Sequence, residues 1–212
     1  MEIWEVIEKI SKYPDRHRMQ MKYDLGRERI YELGGAWIAS MHPKKVLDVG
    51  CAYGTMAYIL RKIGIEVDAI DIMPELHSKK MFEEMGIKFK KRNIETNNIK
   101  GEYDCVVFTD VLEHLCYNPL PVLKKLAKIS KSILISTPAK EVDGVCEGKW
   151  CDEINWRQIP RFKDYKFEDG HHHTYYLWEL QELLAEAGFE IVESQLLPIE
   201  ATWMILAQRR QK

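Results

Sequence analysis

The chain has 212 residues, with 31 Lys and Arg against 33 Asp and Glu, so its formal net charge is −2. This length suits one domain with one sizeable core, and the balanced charge excludes a globally basic surface for binding duplex nucleic acid. Residues 49–60 form the longest stretch without a charged residue. That stretch is too short to span a membrane, and the first residues do not resemble a signal peptide.

The five cysteines lie at positions 51, 105, 116, 146 and 151. An odd number at irregular spacing favours reduced thiols over a disulfide framework. We therefore expect a cytoplasmic protein.

Before residue 42, apolar residues recur at helical spacing on both sides of Pro14. The pattern predicts a helical N-terminal cap over residues 1–42. Its polar faces, which include Tyr23 and Arg27, are either solvated surface or a cover for a bound ligand.

Residues 43–138 alternate short apolar runs with amphipathic segments, which predicts parallel strands joined by helices. The predicted strands are 46–49, 67–72, 87–91, 103–109 and 133–135. The run 103–109 is apolar on both faces and should lie centrally in the sheet. One helix is expected to begin at Pro74 and end at Gly86, and another to begin near Pro119 or Pro121.

Residues 139–173 interrupt the alternation and are too long for an ordinary connection, so we interpret them as an insert or lid. Their aromatic residues either cap the sheet edge or form the wall of an acceptor pocket. Residues 174–212 then predict a helix ending at Gly188 and two closing strands, 189–194 and 202–207.

Glycines and carboxylates cluster where the first predicted strand meets its helix. Gly50 and Gly54 follow Asp48 in this loop, and Asp71 ends the second strand 21 positions after Gly50. Glycine lets a backbone approach a ligand, and a carboxylate at this distance can accept both hydrogen bonds from a ribose diol. The arrangement predicts a nucleotide-type cofactor, although a tight turn that only packs helix on strand is the alternative.

Two common nucleotide fingerprints are absent from this loop. A nicotinamide-binding GxGxxG beginning at Gly50 would require glycine at positions 52 and 55, where the chain has Ala52 and Thr55. The phosphate-binding GxxxxGK[ST] pattern is also missing.

Five segments together resemble the small-molecule branch of the class I S-adenosylmethionine-dependent methyltransferases. They are 46–54, 67–72, 105–115 with the sequence FTDVLEHL, 135–138, and His173 with the later LL-x-x-AGF. The resemblance covers about residues 40–210. It implies one doubly wound α/β domain with a seven-stranded, mostly parallel sheet, a Rossmann-like methyltransferase fold whose last strand is antiparallel.

The same resemblance implies roles for the residues that match its motifs. The loop residues Gly50, Cys51 and Gly54 would pass under the methionine part of S-adenosylmethionine, with Asp48 supporting its amino group. Asp71 would hold the ribose hydroxyls.

Four further positions complete the cofactor contacts that the resemblance implies. Ile72 would lie against the adenine, and Asn93 stands where the family often has an aspartate that binds the adenine amino group. Asp110 and Val111 would line the methionine end through backbone groups.

Glu113 and His114 follow the fourth strand and are our candidate catalytic residues together with His172. A hydroxyl acceptor gains from a base active near neutral pH, and histidine is the natural choice. The pair could equally cap the following turn or bond loop carbonyls. One of His171, His172 and His173 could join His114 at the cofactor mouth, or the three could form an exposed polar loop. If the segment is extended, His171 and His173 would face one way and His172 the other.

Two metal hypotheses stay open, although we assign no metal ligand. Glu113, His114 and a late histidine resemble the metal-dependent RNA 3′-terminal 2′-O-methyltransferases, but Asp110 stands where that family has glutamate and no basic tract is evident. Cys146 and Cys151 could form half of a zinc site, at a loose spacing.

The sequence thus predicts an enzyme that moves a methyl group from S-adenosylmethionine to oxygen or nitrogen of a small molecule and releases S-adenosylhomocysteine. A metal-assisted RNA 2′-O-methyltransferase and a catalytically silent S-adenosylmethionine-binding partner protein are the alternatives. We expect neither a membrane nor a nucleic acid as partner, and the sequence does not fix the oligomeric state.

Overall fold

The computed structural model of the chain describes residues 2–142, 156–159 and 170–210. Seven strands lie in these residues: β1 (Lys45–Val49), β2 (Glu66–Asp71), β3 (Lys88–Lys91), β4 (Tyr103–Thr109), β5 (Ser130–Pro138), β6 (Phe189–Leu197) and β7 (Thr202–Arg209). The helices of the same residues are α1 (Ile3–Ser11), α2 (Gln20–Leu25), α3 (Glu28–Ser40), α4 (Thr55–Lys62), α5 (Lys79–Met85), α6 (Leu120–Ile129) and α7 (Leu177–Ala187). Two short 3-10 turns are Leu112–His114 and Trp156–Gln158.

The strands form one seven-stranded sheet in the order β3-β2-β1-β4-β5-β7-β6. β1 pairs in parallel with β2 and β4, and β2 pairs in parallel with β3. β7 runs antiparallel to both β5 and β6. The predicted fold class, a mostly parallel seven-stranded α/β sheet, is confirmed, and so is the central position of β4.

The chain divides into two compact units, Met1–Asn93 with Tyr103–Val107, and Ile94–Glu102 with Phe108–Lys212. The division into cap, core, lid and C-terminal part stays a prediction.

In the first unit, apolar periodicity produces the expected helices and strands. The buried face of α1 consists of residues at helical spacing, namely Ile3, Val6, Ile7 and Ile10. β1 is buried along nearly its whole length, as the apolar run predicts for a strand covered on both faces.

The start of α5 differs from the prediction. The helix does not begin at Pro74: a turn closed by the amide of Leu76 on the carbonyl of Met73 (3.3 Å) intervenes. α5 begins after Ser78, whose hydroxyl accepts the amide of Met81 at 3.0 Å. Asp15, 63 residues earlier, accepts from the Ser78 hydroxyl, so a distant part of the chain supports this N-cap.

In the second unit, α6 begins directly after Pro119 and α7 ends at Gly188, whose φ is 99°. Both boundaries were predicted from proline and glycine, which respectively favour helix starts and left-handed helix ends. The apolar face of α7 is buried, and it consists of Leu180, Leu183, Leu184 and Ala187.

Only parts of the predicted insert fall within the described residues. Asn118 Nδ2 donates to the carbonyl oxygens of Trp156 (2.9 Å) and Ile159 (3.3 Å), and both of these side chains are buried. The predicted half zinc site at Cys146 and Cys151 lies outside the described residues. Among the helices that the structure describes, none is long and apolar enough to cross a membrane.

Candidate functional site

The glycine loop of the first unit folds back on the end of β2. The amides of Gly50 and Cys51 both donate to the carbonyl of Ile70, at 2.8 and 3.3 Å, and the amide of Gly54 donates to Cys51 at 2.7 Å. Gly50, Ala52 and Gly54 have φ values of 71°, 43° and 82°, so the loop uses left-handed backbone at three positions. This geometry carries the chain tightly from β1 to the first turn of α4.

Asp71 lies at the end of β2 and is held by the backbone on both sides. One carboxylate oxygen accepts the amide of Ala52 and the other accepts the amide of Met73, each at 2.8 Å. Burial raises the pKa of this carboxyl, and the amides of Met73 and Ala52 oppose that effect. Since each carboxylate oxygen has two acceptor sites, the oriented group retains the capacity to accept from a diol.

Asp48 is a buried carboxyl at the end of β1, and its Oδ2 has no hydrogen-bond partner among the residues described. Burial, followed by the charge of Asp71, raises its pKa to about 7. A buried carboxylate that lacks a compensating positive charge favours a cationic group beside it. The residues present therefore fit an amino group of the kind that S-adenosylmethionine carries.

The requirement for glycine at position 54 has a cause that the sequence did not reveal. Gly54 has a φ of 82°, and a Cβ there would lie 2.2 Å from Cε1 of Phe82 and 2.9 Å from Cε of Met81. Close packing against α5 therefore demands glycine at this position. The implied role of Gly54 beneath the cofactor stays a prediction.

The first unit also contains a buried polar centre that the sequence analysis missed. Asp24 on α2 accepts hydrogen bonds from Gln20, from the hydroxyl of Tyr31 at 2.6 Å and from the hydroxyl of Thr55 at 2.6 Å. Thr55 is the first residue of α4, directly after the glycine loop. No motif indicates such a centre, because its members are distant in sequence and individually common.

Tyr23 and Arg27, which the sequence placed on the polar face of the cap, lie near the same loop. The guanidinium carbon of Arg27 lies 4.0 Å from the centre of the Tyr23 ring, and the Tyr23 ring is 5.1 Å from that of Tyr53. Tyr53 belongs to the glycine loop, so the N-terminal helices contact the loop through aromatic side chains as well as through Asp24.

In the second unit, the chain leaves β4 through a left-handed residue, Asp110, with a φ of 52°. Its amide donates to the carbonyl (3.1 Å) and the hydroxyl (2.9 Å) of Ser136, whose hydroxyl donates to the Asp110 carboxylate at 2.6 Å. The 3-10 turn that follows contains Glu113 and His114.

Backbone hydrogen bonds attach the histidine segment to that turn. The carbonyl oxygen of Glu113 accepts the amides of His172 at 2.7 Å and His173 at 3.3 Å. His114 Nδ1 lies 2.8 Å from the carbonyl oxygen of Gly170. Because a carbonyl can only accept, Nδ1 carries the proton and Nε2 is the basic nitrogen of this ring.

The three histidines have different environments. The exposed ring of His171 lies 4.7 Å from the ring of His114, whereas His172 is buried with Nε2 4.0 Å from Sγ of Cys116. His173 is buried with Nε2 2.6 Å from the carbonyl of Leu115, and burial lowers its pKa to about 4. In an extended segment His171 and His173 would share one environment and His172 the other, but here His172 and His173 are both buried. The amides of His172 and His173 both bind the carbonyl of Glu113, so the segment is not regularly extended.

The structure thus brings His171, and not His172, beside His114. A catalytic role for His172 stays a prediction, as do the roles of Cys51, Ile72, Asn93, Asp110 and Val111. Glu113, His114 and His171 each offer a possible metal-ligand atom, and these atoms lie within 4.8 Å of one another.

Residues 16–194 match a family model described as "Methyltransferase domain". This match covers well over half of the chain, so the chain belongs to this family of methyltransferase domains. The resemblance to class I S-adenosylmethionine-dependent methyltransferases, predicted from the motifs, is confirmed.

Curated relatives include the ubiquinone biosynthesis O-methyltransferases of two Xanthomonas species. That of Xanthomonas campestris pv. campestris is 26% identical over 136 residues, which cover 57% of this chain and 56% of the relative. That of Xanthomonas oryzae pv. oryzae is 25% identical over 134 residues, with the same coverage. The match therefore spans little more than half the length of these relatives.

Solved structures share the fold at low sequence identity. Magnesium protoporphyrin IX methyltransferase from Synechocystis PCC 6803 with bound S-adenosylhomocysteine superposes with a TM-score of 0.65 at 17% identity, covering 98% of this chain and 94% of that one. An O-methyltransferase family protein from Burkholderia thailandensis gives a TM-score of 0.64 at 13% identity, covering 99% and 68%. Both confirm the methyltransferase fold.

Proposed function

We propose that this chain is an S-adenosylmethionine-dependent methyltransferase that methylates oxygen or nitrogen of a small molecule. The observation that carries the proposal is the Asp71 carboxylate, which two amides orient at the end of β2 beside the glycine loop. Its place in a methyltransferase domain and the O-methyltransferase names of the curated relatives support the same activity.

The chain's own residues supply complementary contacts for the cofactor. Asp71 accepts from the ribose hydroxyls, and Asp48 offers a buried negative charge to the amino group of the methionine part. Ile72 and Asn93 serve the adenine, as the resemblance implies. When bound, S-adenosylmethionine supplies a methyl group on a positively charged sulfur.

The acceptor needs orientation, and a hydroxyl acceptor must also lose a proton. The hydrogen bond from Nδ1 of His114 to Gly170 fixes the ring and makes Nε2 the proton-accepting nitrogen. Glu113 holds the histidine segment in place through its carbonyl oxygen. We assign His114 as the base in the metal-free protein, with His172 as a further candidate for orienting the acceptor.

The setting proposed for this reaction is the cytoplasm, with a small-molecule acceptor and no nucleic acid. Cys51, Cys105 and Cys116 are buried free thiols, and free thiols are consistent with a reducing compartment. A net charge of −2 supports an acceptor other than a polyanion.

The test begins with calorimetric titration of S-adenosylmethionine and S-adenosylhomocysteine into the protein, with NADH as the negative control. We expect micromolar binding of the first two alone. Asp71→Ala should weaken binding by about tenfold or more, because it removes two charge-assisted hydrogen bonds. Glu66→Ala, at the exposed start of the same strand, is the matched control and should leave binding unchanged.

Unchanged affinity in a folded Asp71→Ala variant would overturn the ribose assignment, and absence of cofactor binding would overturn the proposed function. Turnover is then followed as release of S-adenosylhomocysteine with a panel of phenols, carboxylic acids and amines. His114→Ala should lower turnover by about 10²-fold or more while cofactor affinity stays close to wild type. Full activity would remove His114 from the mechanism.

A further inference from the structure

We propose that Glu113, His114 and His171 form a binding site for one divalent transition-metal ion. The structure contributes three potential ligands from two segments, the 3-10 turn after β4 and the histidine segment before α7. This proposal goes beyond methyl transfer, and metal binding can be measured whether or not the chain binds S-adenosylmethionine.

The spacing of the three side chains is close to that of a coordinated set. One ligand atom from each residue lies within 4.8 Å of the other two. Metal–ligand bonds of about 2.0–2.2 Å bring cis ligand atoms to roughly 3–3.5 Å from one another. A shift of about 1–2 Å therefore closes the set, and an exposed side chain such as that of His171 can make it by a change of rotamer.

The orientation of His114 is a second and independent observation. Its Nδ1 donates to the carbonyl oxygen of Gly170 at 2.8 Å, which leaves Nε2 as the nitrogen that can donate a lone pair to a cation. Metal-binding histidines characteristically donate their other ring N–H to a backbone carbonyl or carboxylate, which fixes both tautomer and ring direction. The His114 ring is thus held in the tautomer of a metal ligand before any ion binds.

The backbone positions the remaining two ligands. The carbonyl of Glu113 accepts two amides from the histidine segment, and this attachment places His171 against the 3-10 turn. Glu113 is only 1% exposed, whereas His171 is exposed. A bound cation would offset the cost of burying the Glu113 carboxylate, and it could enter from the solvent side past His171.

The donor set indicates the class of ion. Two imidazole nitrogens and one carboxylate oxygen suit Mn²⁺, Fe²⁺, Co²⁺ or Zn²⁺ better than Mg²⁺ or Ca²⁺, which prefer oxygen ligands. Three protein ligands also leave coordination positions open to water or to an acceptor oxygen. If the proposed function holds, a bound ion would lower the pKa of an acceptor hydroxyl, and His114, as a metal ligand, would no longer serve as the base.

The experiment uses the 212-residue chain after its metal has been removed by chelator and dialysis. Mn²⁺ is titrated and bound metal is followed by electron paramagnetic resonance, with Zn²⁺ titrated by calorimetry in parallel. We expect one ion per chain. His171→Ala and His114→Ala should each weaken binding by about 10- to 100-fold, because each removes a ligand from a three-residue set.

The matched control is His42→Asn, which removes an exposed histidine from the first unit. Position 42 has a left-handed φ of 50°, which asparagine adopts more readily than most residues do. This variant should bind the ion like the wild type. Equal loss in His42→Asn and His171→Ala, or binding of several ions per chain, would show adventitious surface binding and overturn the proposal. No binding to the wild type would also overturn it.

The nitrogen ligands of the site are tested by a spectroscopic readout that needs no variant of the buried Glu113. Co²⁺ bound to the wild type should give visible absorption bands of a site with nitrogen ligands, and His171→Ala should shift or abolish them. Identical spectra would exclude His171 as a ligand. Cofactor titration of the metal-free protein keeps the outcomes separate, since binding of S-adenosylmethionine without metal supports the proposed function alone.

Discussion

The hydroxyl of Thr55 donates a hydrogen bond to Asp24 Oδ2 at 2.6 Å, and this bond joins α2 to the first residue of α4. The Asp24 carboxylate has no exposed surface, so protein donors take the place of water around it. Tyr31, on α3, donates a second hydroxyl hydrogen bond to the Asp24 carboxylate at 2.6 Å. Gln20, on α2 itself, also donates to this carboxylate. One carboxylate therefore ties three helices together next to the glycine loop.

We predict that Asp24→Ala destabilises the protein by about 3 kcal/mol. The change leaves three buried donors without their acceptor, and each unsatisfied group costs about 1–3 kcal/mol before the site relaxes. The free energy of unfolding from urea titration measures the effect. Tyr31→Phe, which removes one donor and keeps the ring, is the control and should cost about 1 kcal/mol. A loss below 1 kcal/mol for Asp24→Ala would contradict this account.

Gly54→Ala is predicted to be far more destabilising than Gly64→Ala. Both glycines have left-handed backbone, with φ values of 82° and 90°, so both substitutions pay the same conformational penalty of about 1 kcal/mol. At Gly54 the new Cβ also meets Phe82 at 2.2 Å, whereas at Gly64 nothing lies within 4 Å. We expect an additional loss of about 2 kcal/mol at Gly54, typical of overpacking.

The comparison is made by urea titration of both variants, with a third in which Gly54→Ala is combined with Phe82→Leu. The smaller side chain should restore part of the lost free energy, because it removes the contacting ring atoms. Equal destabilisation by the two alanine variants would show that φ, and not packing, demands glycine at position 54.

Cofactor binding should weaken as the pH falls below about 7, and Asp48 is the expected cause. Burial and the neighbouring Asp71 charge raise the pKa of Asp48 to about 7, so the carboxyl is mostly protonated at lower pH. A cationic amino group binds the ionised carboxylate, and binding at low pH must therefore release a proton. The dissociation constant should rise by up to about tenfold per pH unit in this range.

Calorimetry of S-adenosylhomocysteine between about pH 5.5 and 7.5, in buffers of different ionisation enthalpy, measures both affinity and proton release. Asp48→Asn keeps the shape of the side chain and removes the titration, so its affinity should be weaker and nearly independent of pH. The same steep pH dependence in this variant would assign the proton to another group.

The sequence predicts the sheet well because its evidence is local. β4 is apolar at consecutive positions, as a strand covered on both faces must be, and Gly188 marks the end of α7 by the backbone conformation that it adopts. The start of α5 was predicted wrongly because the N-cap Ser78 depends on Asp15, which is distant in sequence and close only in the fold.

The candidate site likewise contains residues that the local sequence predicts and residues that only the fold reveals. Asp48, Asp71 and the glycine loop follow from strand ends and spacing, and the structure places all of them in one unit. Asp24 could not be predicted, since a buried aspartate resembles any helical surface residue until its donors are known. The arrangement of His171 and His172 also escaped prediction, because regular alternation does not describe a segment whose two amides share one carbonyl.

The main-chain attachment of His172 and His173 to Glu113 has a consequence for the neighbouring position 171. Every residue except proline offers a backbone N–H, so the amides of positions 172 and 173 hold this segment whatever side chains they carry. Substitutions at the exposed position 171 can therefore alter the chemistry presented next to His114 while the path of the chain stays the same. If the proposed function holds, single substitutions at position 171 would change the preference for an acceptor on an unchanged framework.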